Sequence, residues 1–375
     1  TGSVSTVTTT LGTLAKIGDD SEVNVGTLSI TSDHYQDLDS SADSYSLALA
    51  SGSGAGAQND VTTKADVQIG SDSSITAGNI FILSRNKLDK DEYRNASNLY
   101  AGSAAAYNAT VLLSETQIGT SDSPFSASVD IGQGTEMAVV GSASTPGLFR
   151  IEALNDITAY DVVRVETVSG FGVSAGISRI STQTDAAINV SGASLTNNMG
   201  DIYLTTKTDT AARPSVNMFA AGAFSGSGGE AEGDINPRNT VNINNATIQG
   251  RDVFVYAGRS SYAVNNQLEV YVNMEMTTVA LFGITVPVPK VTLDERNTVT
   301  VSGANVYGLQ NVHFVASEGP GGEYRAQAKG TAMNLAIPPY PLDIGQVAQR
   351  SDSSTNAVTI ADSSNIIAGV NNKTL

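Results

Sequence analysis

VQIGSDSSITAGNIFIL, residues 67–83, reads as an apolar strand, a corner and a second apolar strand. Val67 and Ile69 flank Gln68, and Ile80 and Ile82 flank Phe81. That period of two belongs to a strand, and the Gly, Ser, Asp and Asn between the two runs are the residues a tight corner needs. The phrase returns at Phe149 (FRIEALNDITAYDVVRV) in the same register. Looser copies begin at Ile188 (INVSGASLTNNMGDIYL), Val241 (VNINNATIQGRDVFVYA), Val299 (VTVSGANVYGLQNVHFV) and Val358 (VTIADSSNIIAG), with partial ones at Val23 and Val129. A unit of strands repeated along a chain cannot bury its apolar face alone, so the copies must stack.

Successive anchors fall at 23, 67, 129, 149, 188, 241, 299 and 358. The intervals between them lie near multiples of about 20, the length of one turn in many solenoids. The reading is an all-β, parallel β-solenoid with about 20 residues per coil, running as one unit over residues 1–375.

Composition fits. Apolar residues make up 40% of the 375, enough for a continuous core, while charged residues are only 15% against a usual ~25%. Ser, Thr, Asn, Gly and Ala fill the difference, as strand surfaces and corners require. A formal charge of −17 argues against nucleic-acid binding, which needs Lys and Arg to displace counterions from phosphates. The absence of cysteine excludes thiolate catalysis and Cys-ligated metals. The chain opens at Thr1 without methionine and closes inside the copy begun at Val358. The start is expected to reflect either a removed leader or a part of something longer, and the end favours the second, a segment of a longer chain or fibre.

Between the phrase copies lie small-residue strands with a likeness of their own: YSLALASGSGAGAQ from Tyr45, NLYAGSAAAYNATVLL from Asn98, VSGFGVSAGISRI from Val168 and SVNMFAAGAFSGSGGEAEGD from Ser215. These are the expected places for departures from regular coils. Residues 268–291 and 330–344 are bulkier and are expected to protrude as apolar segments. Glu269, Glu275, Pro287 and Pro289 in the first, with Val270, Val272, Met274 and Met276 alternating, indicate strand and not a membrane span. Loops are expected at 33–44, 87–95, 226–236 and 349–356.

Candidate chemistry is sparse. His34 and His313 are the only histidines and lie far apart, so His-based catalysis is not supported. Asp161, Asp201 and Asp252 recur at matching places in the phrase, beside Asn79 and Asn311, as stacked corners require. Asp89, Asp91 and Glu92, with Asn95, resemble the start of a calcium loop, and Asp33, Asp37, Asp39 and Asp43 crowd another stretch. Neither has the glycine and distant glutamate of an EF-hand. Tyr35, Tyr93, Tyr100 and Tyr107 are candidates for stacking on sugar rings.

The VxI anchor, the Gly/Asn/Ser corner and the second apolar strand together resemble the repeats of filamentous haemagglutinin-like, two-partner-secreted exoproteins and leukotoxin-family filamentous adhesins of bacteria. The likeness runs from about Val23 to the end. It implies a right-handed parallel β-helix exported to the bacterial cell surface, without catalysis or a required cofactor, acting as a structural or adhesive part of a fibre. Its expected partners are neighbouring copies or the continuation of the same chain, end to end, and surface glycans. About 19 coils at ~4.8 Å would make a rod on the order of 90 Å. A carbohydrate-active β-helix, with paired acids on one face, or a sugar-binding module is the alternative.

Overall fold

The computed structural model describes residues 2–90, 97–142, 144–316, 323–336 and 348–369. Among these the chain is all strand and turn, without helix, and the strands join in one sheet of parallel pairs. No helix is long and apolar enough to cross a membrane. The arrangement is consistent with a β-solenoid, each passage of the chain lying on the one before.

Six of the eight anchors meet as the repeat requires, Val23 and Phe149 being displaced to other columns. Ala15, Val67, Val129, Ile188, Val241, Val299 and Val358 pair in succession as one column. A second column runs Val23, Ile75, Met137, Leu195, Ile248, Val306, Ile366. A third runs Leu28, Ile80, Phe149, Ile202, Val253, Val312. The inner members of these columns are buried in one cluster. Like packs on like in successive layers because a parallel register without slip puts equivalent residues side by side.

Two expectations are corrected here. Ile202 pairs with Val253, and Ile80 with Phe149, so one layer takes up about three of the expected coils of about 20 residues. The sequence spacing counts strand phrases along the chain, whereas hydrogen bonding counts complete circuits. The 19-coil estimate falls with it, since each column above holds six or seven members. The copy at Phe149 is also displaced: it stacks on Ile80, the second strand of the Val67 phrase, and not on Val67. Both segments read apolar-polar-apolar, and a period of two does not say which face of a layer a strand belongs to.

Most of each circuit is one long, bent excursion. Phe149–Ser191 and Ile202–Asn244 are 43 residues each, which would span roughly 140 Å if straight. They double back instead. Ser178 Oγ reaches the Asp161 carbonyl at 3.4 Å, and Thr208 Oγ1 donates to Asn239 Oδ1 at 3.0 Å. Nearer the turn, Ser103 and Thr110 hydroxyls are 3.0 Å apart, and Thr278 and Thr285 2.8 Å. An outgoing and a returning limb therefore face each other, joined at a tip. Alternate residues of both limbs point inward, which is why burial alternates along nearly every strand.

The inner face of the limbs carries a second apolar cluster, including Leu99, Ile157, Val163, Ile180, Val216 and Met274. Between the two clusters runs a buried polar belt. Ser84 Oγ donates to the Ala65 carbonyl at 2.5 Å and Asn86 Nδ2 to the Thr63 carbonyl at 2.8 Å. Asn239 Nδ2 donates to Asn297 Oδ1, and Asn297 Nδ2 to Asn356 Oδ1, both at 2.8 Å. Buried amides must find partners, and an asparagine in the next layer supplies one at the right spacing.

The corner after each anchor strand uses left-handed backbone in every layer: Asp20, Asp72, Gly134, Gly192, Asn245, Gly303 and Ser363 have φ between +50° and +74°. Asp, Asn and Gly tolerate this region best.

The segment 268–291, expected to project, is built into the sheet. Leu268, Val270, Val272, Met274 and Met276 line the second cluster. Residues 330–336 pair with it, and the rest of 330–344 lies outside the described residues. Of the expected loops, 226–236 and 349–356 are strands as well, 33–44 is strand except for residues 38–41, and 87–90 is strand with 91–95 outside the described residues. Their polar, glycine-rich composition is that of outward-facing and tip positions, which sequence alone does not separate from loops.

Candidate functional site

The small-residue segments from Tyr45, Asn98, Val168 and Ser215 are the tips, and their likeness is vertical stacking. Ala50, Tyr107, Phe171, Phe224 and Phe282 form one column. The four rings stack face to face, with centroids 5.4, 4.8 and 5.0 Å apart and planes within 11°. They make a ridge along the stack that stays 43–60% exposed. The next residue in each layer is small or polar: Asn108, Gly172, Ser225, Gly283. Beyond it stand Ala109, Val173, Gly226 and Ile284. Ridge, floor and far wall enclose an apolar groove of about 820 Å³. The faces of Phe171 and Phe224 are covered by neighbouring rings, so the groove offers ring edges and not the open faces on which sugars stack.

A smaller hollow of about 340 Å³ lies on the limbs and is polar, lined by Asp156, Asp209, Glu269, Gln267 and Arg325 among others. Asp156 and Asp209 are direct partners in adjacent layers. Burial, reinforced by Asp209 and Asp89, holds the Asp156 carboxyl above its ordinary range against the pull of Lys87. Asp209 is engaged by Lys207 Nζ at 2.6 Å and by the Gln267 amide at 2.8 Å. Glu269 accepts from Arg213 at 2.6 Å.

The sequence-derived candidates fall as follows. Asn79, Asp201, Asp252 and Asn311 share one corner. There Asn79 Oδ1 accepts the Leu148 amide at 2.9 Å, Arg251 clamps Asp201 at 2.8 and 2.9 Å, and Asn311 donates to Asp252 at 2.9 Å. Asp161 belongs elsewhere. It pairs with Pro214 in the next layer and lies wholly buried against Lys90.

Asp89 is held by Lys87 at 2.9 Å, and Asp91, Glu92, Tyr93 and Asn95 lie outside the described residues. Among the described residues no three His, Asp or Glu side chains are grouped as a cation site would require. Tyr100 donates to Glu166 at 2.7 Å, and its phenol is pushed up to about 12 by burial and by that carboxylate. His313 closes an outer stack with Tyr203 and Phe254, at 4.9 Å from the latter ring. His34 is buried, which lowers its pKa more than adjacent Asp33 raises it.

Sequence reasoning missed the aromatic ridge and the buried Lys90–Asp161 pair. The signal for the first was available: an aromatic residue follows the small-residue run in Ala-Ala-Tyr107, Ser-Gly-Phe171, Gly-Ala-Phe224 and Ala-Leu-Phe282. Comparison with family models, with curated proteins and with solved structures returns no match.

Proposed function

We propose that this chain is a non-catalytic structural and adhesive segment of an extracellular bacterial surface fibre, built as a right-handed β-solenoid that continues end to end. The observation that carries the reading is the state of the outermost layers. Gly2–Ile17 pairs only with Ala42–Ile69, and Gln349–Ile360 only with Gln267–Ser302, among the described residues. Leu11, Val358 and Ile360 stand in register with wholly buried Thr63, Val299 and Val301, yet are about half exposed. Open strand edges over an uncovered core are templates for further strands, and a layer from a neighbouring copy or from the same polypeptide satisfies both. The resemblance to filamentous adhesins agrees with this assignment, as does a strongly acidic, cysteine-free surface.

Negative-stain electron microscopy of the chain, alone and as a tandem fusion, tests it. Thin fibres, or a rod that doubles in length in the fusion, support axial continuation. Rods of fixed length with the ends blocked would overturn it.

The polar hollow keeps a second reading in view, a carbohydrate-active protein with Asp156 and Asp209 as paired acids beside Arg325. Retaining and inverting glycosidases place such acids about 5–10 Å apart. Release of reducing ends from acidic and neutral polysaccharides, lost in Asp156→Asn and Asp209→Asn, would establish it.

A further inference from the structure

We infer that the aromatic ridge and its groove form a lateral interface, through which two copies of this chain pair side by side and in the same direction.

The patch is too apolar to be ordinary surface. Besides the four ridge rings, Leu47 and Leu49 are more than 80% exposed, and Val168, Val173, Leu281 and Ile284 are 43–65% exposed. Val173 and Ile284 stand with the rings around the groove, while Leu47 and Val168 line the neighbouring hollow beside Tyr45 and Tyr100; exposed apolar surface concentrated in this way commonly marks a contact site.

Charge distribution names the occupant. Charged residues are 15% of the chain, yet the five stacked tip segments, 45–57, 102–114, 167–178, 218–229 and 276–289, contain none. Two copies each carrying −17 repel over most of their surface at distances near the Debye length, ~8 Å at physiological salt. At the tips like copies can meet without opposing carboxylates. Anionic lipid and acidic partners gain nothing there, since no Lys or Arg lies in these segments. Removing the apolar area from water is favourable at ~25 cal/mol per Å² before association costs.

Shape selects the direction. A two-fold interface brings the same surface to both partners, and here that surface is a ridge with a groove running beside it. A two-fold axis along the stack places each ridge in the other copy's groove. An axis across the stack would set ridge on ridge. The paired copies therefore run parallel, an arrangement that leaves their ends free for axial growth but does not depend on it.

Sedimentation equilibrium of the full chain, with cross-linking, is the test. The expected result is a dimer that tightens with added salt. Phe171→Glu/Phe224→Glu and, separately, Leu47→Glu/Leu49→Glu should weaken it at least tenfold without loss of strand circular dichroism. Because the chain has no cysteine, Ser51→Cys gives one reactive site at the first layer of the groove, and a short bis-maleimide should link it to itself only in a parallel pair. A monomer at 100 μM would overturn the inference, as would open-ended oligomers indifferent to the ridge variants. Monomers that float with phosphatidylcholine vesicles would assign the ridge to lipid, also overturning it. Self-linking absent from a ridge-dependent dimer would overturn the parallel geometry. Axial fibres that persist in the ridge variants leave the fibre assignment standing, so the two readings fail separately.

Discussion

Lys90 and Asp161, distant in sequence, form an ion pair with both side chains wholly removed from solvent. The Tyr160 carbonyl also accepts from Lys90 Nζ at 3.3 Å. Asn98 and Thr116 donate to the Asp161 carboxylate at 2.8 and 2.7 Å. Around them lies the second apolar cluster, so neither charge has water to fall back on. Removing one partner of such a pair costs about 3–5 kcal/mol, whereas replacing both with apolar groups is often neutral. Lys90→Met should lower stability by that amount, and Lys90→Met/Asp161→Leu should recover most of it. Urea titration followed by circular dichroism measures both.

The left-handed corner makes a sharper local prediction. Gly303 has φ +59°, and a Cβ there would meet Asn245 Oδ1 in the layer below. Gly303→Ala should therefore cost the ~1–2 kcal/mol of left-handed strain with a small addition for turning the Asn245 amide aside. Asn245→Gly in the same chain should remove the clash and leave the strain, so the double variant is less destabilised than additivity requires. Thermal melts of the four proteins complete the cycle.

The asparagine ladder is a third point of attack. Asn297 accepts from Asn239 and donates to Asn356, and Asn239 and Asn297 are both fully buried. Asn297→Ala strips a partner from buried Asn239, which costs about 1–3 kcal/mol, and leaves a cavity, while exposed Asn356 turns to water. Asn297→Ala should therefore lower stability further than Asn356→Ala, which orphans one neighbour at a more open layer. Denaturant midpoints of the two variants decide it.

Asp185 supplies a pH test. Burial holds its carboxyl above the ordinary range, outweighing the downward pull of Arg238. A pKa raised by folding gives stability that is full below the unfolded value and is lost as pH rises through the folded one. At neutral pH the ionised side chain therefore works against the fold. Asp185→Asn should melt higher than the parent at pH 7, with the difference closing as pH falls toward the ordinary carboxylate value near ~4. Asp156 and Asp234 are shifted upward and His34 downward, each mainly by burial. Comparing variant with parent at each pH removes their contributions.

Much of this was legible in the sequence. The VxI anchors announced strands that stack on their own copies, and six of them, from Val67 to Val358, do so in direct register. The Asp, Asn and Gly corners announced left-handed turns. Even the tips were visible as a second family of small-residue segments.

Alternation and repeat phrase together determined that the chain is all-β and layered, because a period of two and a self-similar apolar column are local properties of the residues. What they could not determine is how much chain closes one layer. That length depends on whether Ile80 pairs with the next strand phrase or with distant Phe149, and each candidate partner looks alike along the sequence. Only the closed circuit decided it, and with it everything that depends on which layers touch: Lys90 against Asp161, Asp156 beside Asp209, and four aromatic rings gathered from well-separated segments into one ridge.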